Sequence, residues 1–246
     1  MKASLLIITF LISFSSFAQK INKELGPFSK VLVGPGINLE LIQSNDERIQ
    51  LVSDTELLND ISISVDNDEL KVYFPYKDFS FKDDDGEIAH GKYSLENTPY
   101  EGIRVYAKLY FRNLETIDFR GEEKLFCRDK IHADEFTMKI YGETEVRMSS
   151  LQVDELTVKT YGENEVELLE GDVMEFKITS FGENTVKTKG MKCENIKLTS
   201  FGESDLDVYA ENSLKVKVIG EGNIRYKGNP TVKEFNLGEA NISKID

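Results

Sequence analysis

The sequence predicts an all-β fold: a right-handed parallel β-helix, or β-solenoid, with coils of about 20 residues and a less regular, β-rich amino-terminal part. Three observations predict it. An aromatic-Gly-Glu triplet recurs at a spacing of twenty, as Tyr141-Gly142-Glu143, Tyr161-Gly162-Glu163, Phe181-Gly182-Glu183 and Phe201-Gly202-Glu203, with looser Gly-Glu copies at Gly121, Gly220 and Gly238. Each triplet is flanked by short runs alternating apolar and charged residues, the mark of a strand buried on one face. No helical segment separates the runs, so the crossover helix of ordinary parallel sheets has no place. A unit this short cannot hide its apolar face alone, but stacking in parallel on a neighbour closes a continuous core. The leucine-and-asparagine consensus of leucine-rich repeats is absent, and a β-sandwich would not need its copies in register.

Taken in order, residues 1–18 read as a cleaved secretory signal. Lys2 supplies a basic start, Leu5 to Ile12 an apolar run, and Ser16-Phe17-Ala18 the small residues of a cleavage site, which makes Gln19 the first mature residue. That run is too short for a membrane span, which needs about 20 apolar residues, so no membrane insertion is expected. Residues 19–246 read as a single β-solenoid domain. In its irregular part, 19–102, strands are expected at Phe28–Val33, Ile37–Ile42, Ile49–Val52, Ile61–Val65 and Leu70–Phe74, with one helical turn over Glu56–Asn59. Gly34-Pro35-Gly36 and Asp66-Asn67-Asp68 are turn material. Pro75 to Gly102, with Lys82-Asp83-Asp84-Asp85-Gly86, reads as a long acidic surface loop. Regular coils occupy 103–246, opening with strands at Ile103–Leu109 and Leu114–Phe119.

Stacking the copies turns the alternation into columns. Phe136, Leu156, Phe176, Ile196 and Leu214 form one; Met138, Val158, Ile178, Leu198 and Val216 a second; Val146, Val166, Val186, Leu206, Ile224 and Ile242 a third. All three should face inward. The charged residues between them, among them Lys139, Lys159, Glu165, Lys187, Asp205 and Asp207, should face solvent. Gly162 and its equivalents give the corner a backbone that a Cβ would resist.

The mature chain of 228 residues carries 29 basic and 44 acidic side chains, a formal charge of −15. So acidic a surface argues against nucleic acid and anionic membrane as partners, since those contacts need Lys and Arg. The two cysteines of an exported chain invite a disulfide. Here, however, Cys127 and Cys193 occupy different positions on coils three apart, roughly 14 Å along the axis at about 4.8 Å per coil. A bridge needs Cα atoms within about 7 Å. Two free, buried thiols are expected.

The opening Phe28-Ser29-Lys30-Val31 strand, the Gly36-Ile37-Asn38 turn, the Leu70-Lys71-Val72 strand and the closing Ile224-Arg-Tyr226-Lys-Gly228-Asn229-Pro230-Thr-Val232 form a recognisable set. The Tyr-x-Gly-x-Pro of the closing coil is its most specific part. The set is similar to the family called putative autotransporter adhesin head GIN domain, common in exported proteins of the Bacteroidota, and it covers essentially the whole mature chain. The resemblance implies a β-helical fold and a surface role. The corners depart from it, carrying an aromatic, Gly and Glu where the family commonly shows Ser-Gly-Ser-Gly.

Catalytic chemistry is poorly supplied. The two histidines, His90 and His132, have neither a Cys nor a second His at ligand spacing, and no Ser-His-Asp set or phosphate-cradling loop is visible. Carboxylates abound, but in a regular ladder, whereas a β-helix lyase or hydrolase needs unique residues that break the repeat. No cofactor is expected. The glutamates of the Gly-Glu pairs either splay into solvent or hold a cation such as Ca²⁺, although the nonapeptide of calcium-binding β-rolls is absent. The aromatic column Tyr141, Tyr161, Phe181, Phe201 belongs outside or at the corner. There it either stacks on itself or offers a contact strip to a glycan or protein. Thr144, Asn164, Asn184 and Ser204 suit a hydrogen-bonded corner ladder.

The expected function is non-catalytic: an exported binding or adhesion module of the cell envelope, in the periplasm, at the cell surface or outside the cell, whose partner is a surface glycan or a protein. The alternatives are a carbohydrate-active β-helix enzyme and a structural module that self-associates through its end coils.

Overall fold

The computed structural model describes residues 19–76 and 93–245; the signal-peptide reading, His90 and the acidic run at 82–86 lie outside the described residues. The chain is a β-solenoid. Strands β1 (Gln19–Glu24), β2 (Lys30–Val33), β3 (Ile37–Gln43), β4 (Arg48–Ser53), β5 (Ser62–Asp66), β6 (Glu69–Tyr73), β7 (Val105–Phe111) and β8 (Thr116–Gly121) lead into the coiled runs β9 (Lys124–Gly142), β10 (Glu145–Lys227) and β11 (Thr231–Lys244). A 3-10 turn at Glu56–Asp60, capped by the Thr55 hydroxyl, stands where the helical turn is expected.

Pairing is parallel wherever coils stack. β8 lies on β9 with Ile117 against Met138 and Gly121 against Gly142. β9 lies under β10 with Leu156 against Phe136 and Tyr161 against Tyr141. β10 carries β11 with Gly220 against Gly238. The three predicted columns are buried, except Ile242 at the open last coil, which is only half-buried. Within one coil the buried positions run 136, 138 and 140, then 144, 146 and 148, then 151 and 153, so each coil turns two corners between three inward-facing arms. One apolar cluster extends without a break from Phe28 to Ile224.

The first corner shows why glycine recurs there. Gly162 has φ +108, and a Cβ on it would lie 2.2 Å from the carbonyl oxygen of Gly142 in the coil below. Gly182 and Gly202 repeat the arrangement, so each corner rests directly on the backbone of the previous one.

The amino-terminal strands prove more ordered than their sequence suggests. β2 is sandwiched in parallel between β6 and β8, and β3 between β7 and β9. The Gly34-Pro35-Gly36 turn therefore sits beneath the Gly121 corner, whose Cβ position is 3.1 Å from Pro35 Cα. One level lower, the corner is interrupted by an insertion between β6 and β7, described at 74–76 and 93–104. Antiparallel strands close this end, β5 on β6 and then β4 and β1 on β7. Residues 93–102 correct the surface-loop reading where they are described. Leu95 and Tyr100 are buried, and the Tyr100 ring stacks on Phe74 at 4.7 Å. Asp207 corrects another expectation: it is buried against Arg225, whose Nε lies 2.5 Å from its carboxylate.

Candidate binding surfaces on the coils

The aromatic column lies at the first corner. Tyr141, Tyr161, Phe181 and Phe201 stack with ring centroids 4.7, 5.0 and 4.8 Å apart and planes within 6° of parallel. Parallel coils place identical residues one strand spacing apart, which is the distance of an offset ring stack. Both faces of each inner ring are occupied by its neighbours, so the column turns ring edges outward. At the lower end Tyr93, from the insertion, packs on Tyr141 at 5.2 Å, and the Arg120 guanidinium lies 5.0 Å over the same ring. Arg120 occupies the aromatic position one coil earlier and is buried, with Nε 2.6 Å and Nη2 2.8 Å from the two oxygens of Asp118. Burial works against the charged guanidinium, but the hydrogen bonds and charge of Asp118 outweigh it and hold Arg120 above its ordinary range.

Two residues past Gly142 and its equivalents, the small polar side chains point inward and bond to one another. Asn164 Oδ1 accepts from the Thr144 backbone N–H at 3.2 Å and from its hydroxyl at 2.9 Å, and Asn164 Nδ2 donates to Asn184 at 3.0 Å. Asn184 in turn donates to the Phe181 carbonyl, and Ser204 bonds Ser200. A second ladder went unread in the sequence. Thr160 and Ser180, just before the aromatic, are fully buried and share a 3.1 Å bond.

The glutamates Glu143, Glu163, Glu183, Glu203, Glu221 and Glu239 are all exposed. Among the described residues, no three Asp, Glu, His or Cys side chains gather closely enough to hold a metal ion. His132 is exposed. Cys127 and Cys193 are free and buried, on different arms, and burial pushes both thiols up to about 12.

On the second arm, outward charges neutralise one another between coils: Lys108 with Glu40 at 3.2 Å, Lys124 with Glu145, Arg147 with Glu167 at 3.3 Å, Lys187 with Glu165, and Arg225 with Asp205 at 2.7 Å. The regularity fails near the insertion. There a groove of about 1100 Å³ runs between residues 94–104 and the outer faces of β3, β7 and β9. Tyr106, 61% exposed, and the half-buried Phe126 supply its aromatic surface. Arg104 and Arg128 also line it, and neither forms an ion pair among the described residues. The groove brings together residues from four separate segments. Only the interruption of the repeat at 75–102 hints at it in the sequence.

Stacked parallel coils with a closed amino-terminal end place the chain in the class of β-solenoids. Its sequence matches the profile of the family "Putative auto-transporter adhesin, head GIN domain" over residues 27–230, and the chain belongs to that family. No curated protein matches it. Among solved structures it is similar to a "putative adhesin" from Bacteroides fragilis, with 20% identity, a TM-score of 0.78, and coverage of 94% of this chain and 98% of that one. A "putative lipid binding protein" from Parabacteroides distasonis is 17% identical with a TM-score of 0.65, over 93% and 97% of the two chains. A "putative adhesin" from Parabacteroides merdae is 17% identical with a TM-score of 0.60, over 93% and 96%. At these identities the likeness establishes the fold. Among the described residues, no helix is long and apolar enough to cross a membrane.

Proposed function

We propose that this chain is an exported, non-catalytic, adhesin-like module of the cell envelope that binds a surface glycan or protein in the groove beside the insertion. The observation that carries the reading is the placement of Tyr106 and Phe126 beside Arg104 and Arg128 where the insertion interrupts the coils. An exposed tyrosine next to unpaired guanidinium groups is the composition of a contact surface, since aromatic and Arg side chains dominate recognition energies. Elsewhere the second arm's charges are satisfied by each other. The family assignment supports a surface role in the same direction. The aromatic strip Tyr141, Tyr161, Phe181, Phe201 serves as a second contact, meeting a partner with ring edges.

A glycan and extracellular-matrix array probed with the mature chain tests this. Retained ligands should be lost by the Tyr106→Ala/Phe126→Ala variant with its melting temperature unchanged. Retention by that variant would move the site elsewhere. Losing the same ligands through Tyr141→Ser/Tyr161→Ser in a folded protein would assign them to the strip instead.

A further inference from the structure

The first arm, ending at the aromatic, carries a different charge pattern from the second. Five residues before each corner glycine the outward positions are Thr137, Thr157, Lys177, Lys197, Lys215 and Lys233; three before it they include Lys159, Thr179, Thr199 and Lys217. Lys177, Lys197, Lys215 and Lys233 are exposed and stand on four consecutive coils. These four, with Lys159 and Lys217, form no ion pair among the described residues. Lys217 leans over the Phe201 ring at 5.7 Å. In a chain of net charge −14, the two adjacent columns hold no carboxylate between Thr137 and Lys233 while their stacked ammonium groups repel one another.

An acidic column borders the strip at the corner, where Glu163, Glu183, Glu203, Glu221 and Glu239 are exposed; on its other edge Glu175 gives way to Asn195, Ser213 and Thr231 beside Lys197, Lys215 and Lys233. A planar anionic bilayer pressed onto this face would meet the acidic column, whereas a single extended polyanion fits alongside it. Binding to a single nucleic-acid strand uses aromatic faces on which bases stack, and here those faces are closed by the rings' own stacking. A polymer of charged sugars needs no such face: lysines meet its carboxylates or sulfates, and Thr179 and Thr199 offer hydroxyls.

From this geometry we infer that the outward face of the first arm is a docking strip for a linear acidic polysaccharide, laid along the solenoid axis from the coil of Lys159 to that of Lys233, over about 19 Å or four intervals of roughly 4.8 Å. The inference rests on the non-catalytic binding reading but not on the groove. Its test uses polygalacturonate and dextran sulfate, with neutral dextran, anionic phospholipid vesicles and oligo(dT) as comparisons. The mature chain should bind the two acidic polysaccharides with an affinity that falls as salt rises, and should bind neutral dextran not at all. Lys177→Gln/Lys197→Gln/Lys215→Gln/Lys233→Gln should weaken binding at least about tenfold and flatten the salt dependence. The same four positions as Arg should retain binding. Lys20→Gln/Lys23→Gln/Lys130→Gln/Lys192→Gln, with the same net charge, should leave it unchanged. Melting temperatures establish that each variant is folded. No binding to either polysaccharide, equal losses in the two Gln sets, or binding confined to vesicles or to oligo(dT) each overturns the inference. The Tyr106→Ala/Phe126→Ala variant should keep its polysaccharide affinity; if it alone loses it, the ligand belongs to the groove and the strip is refuted.

Discussion

Four glycine-to-alanine changes separate the two costs that the corner stack imposes. Gly162 combines φ +108 with a Cβ position 2.2 Å from the Gly142 carbonyl oxygen. Gly102 has φ +75 with nothing within 4 Å, Gly171 has a Leu151 carbonyl oxygen at 2.3 Å without a left-handed backbone, and Gly26 has neither feature. Left-handed backbone costs an alanine about 1–2 kcal/mol. Forcing a methyl into packed structure costs about 1–3 kcal/mol. To reach the 3.0 Å that real Cβ atoms keep, Gly162→Ala must open the coil spacing by about 0.8 Å. That loosens ladder hydrogen bonds and the Tyr141–Tyr161 ring stack together. The expected losses are therefore about 2–5 kcal/mol for Gly162→Ala, about 1–2 for Gly102→Ala, about 1–3 for Gly171→Ala and within about 0.5 for Gly26→Ala. Urea denaturation followed by far-UV circular dichroism reads these as shifts in midpoint at constant m. The largest corresponds to a fall in Tm of about 4–20 °C. If Gly162→Ala costs no more than Gly102→Ala, the corner does not rest on the carbonyl below it and the stacking argument fails.

Asn164→Ala strips the Thr144 N–H and hydroxyl of a buried acceptor and should cost about 1–3 kcal/mol, read by the same denaturation. Arg120→Met removes both guanidinium bonds from the buried Asp118 and should cost about 3–5 kcal/mol, and adding Asp118→Leu should recover most of it; an additive double variant would show that the pair is not coupled. Burial raises the folded-state thiol values of Cys127 and Cys193 to about 12, above the ordinary value near 8.5 that an unfolded chain shows. Their stabilising contribution is then complete below about pH 8.5 and is lost as pH rises toward 12, so Cys127→Ala/Cys193→Ala should show a shallower alkaline decline in stability. In the native protein both thiols should resist a disulfide-exchange reagent at pH 8 until denaturant is added; rapid labelling would place them at the surface.

The repeat made most of the fold readable, because a column needs only a period and an inward parity, and both are written in Phe136, Met138 and Val146 and their copies. The amino-terminal strands were found singly but not their stacking. Their coils are filled out of chain order, β6 and β7 lying below β2 and β3 while β8 returns above, and no period records that. Asp207 escaped because parity fixes only which way a side chain points, while burial came from Arg225 on the next coil folding over it. The groove was invisible for a related reason: Tyr106, Phe126 and the insertion meet only after three coils are stacked. The lysine strip lay in plain sight at a spacing of twenty and then eighteen, but whether those charges had partners depended on contacts between coils.

The central claim is binding without turnover, and the most direct measurement is the chain length of a retained glycan after prolonged contact with stoichiometric protein. The glycan should be recovered at its original size, with no new reducing ends or unsaturated sugars. Shortened products that accumulate with time, and vanish when a carboxylate of the groove such as Glu123 is changed to Gln, would show instead that this solenoid is an enzyme.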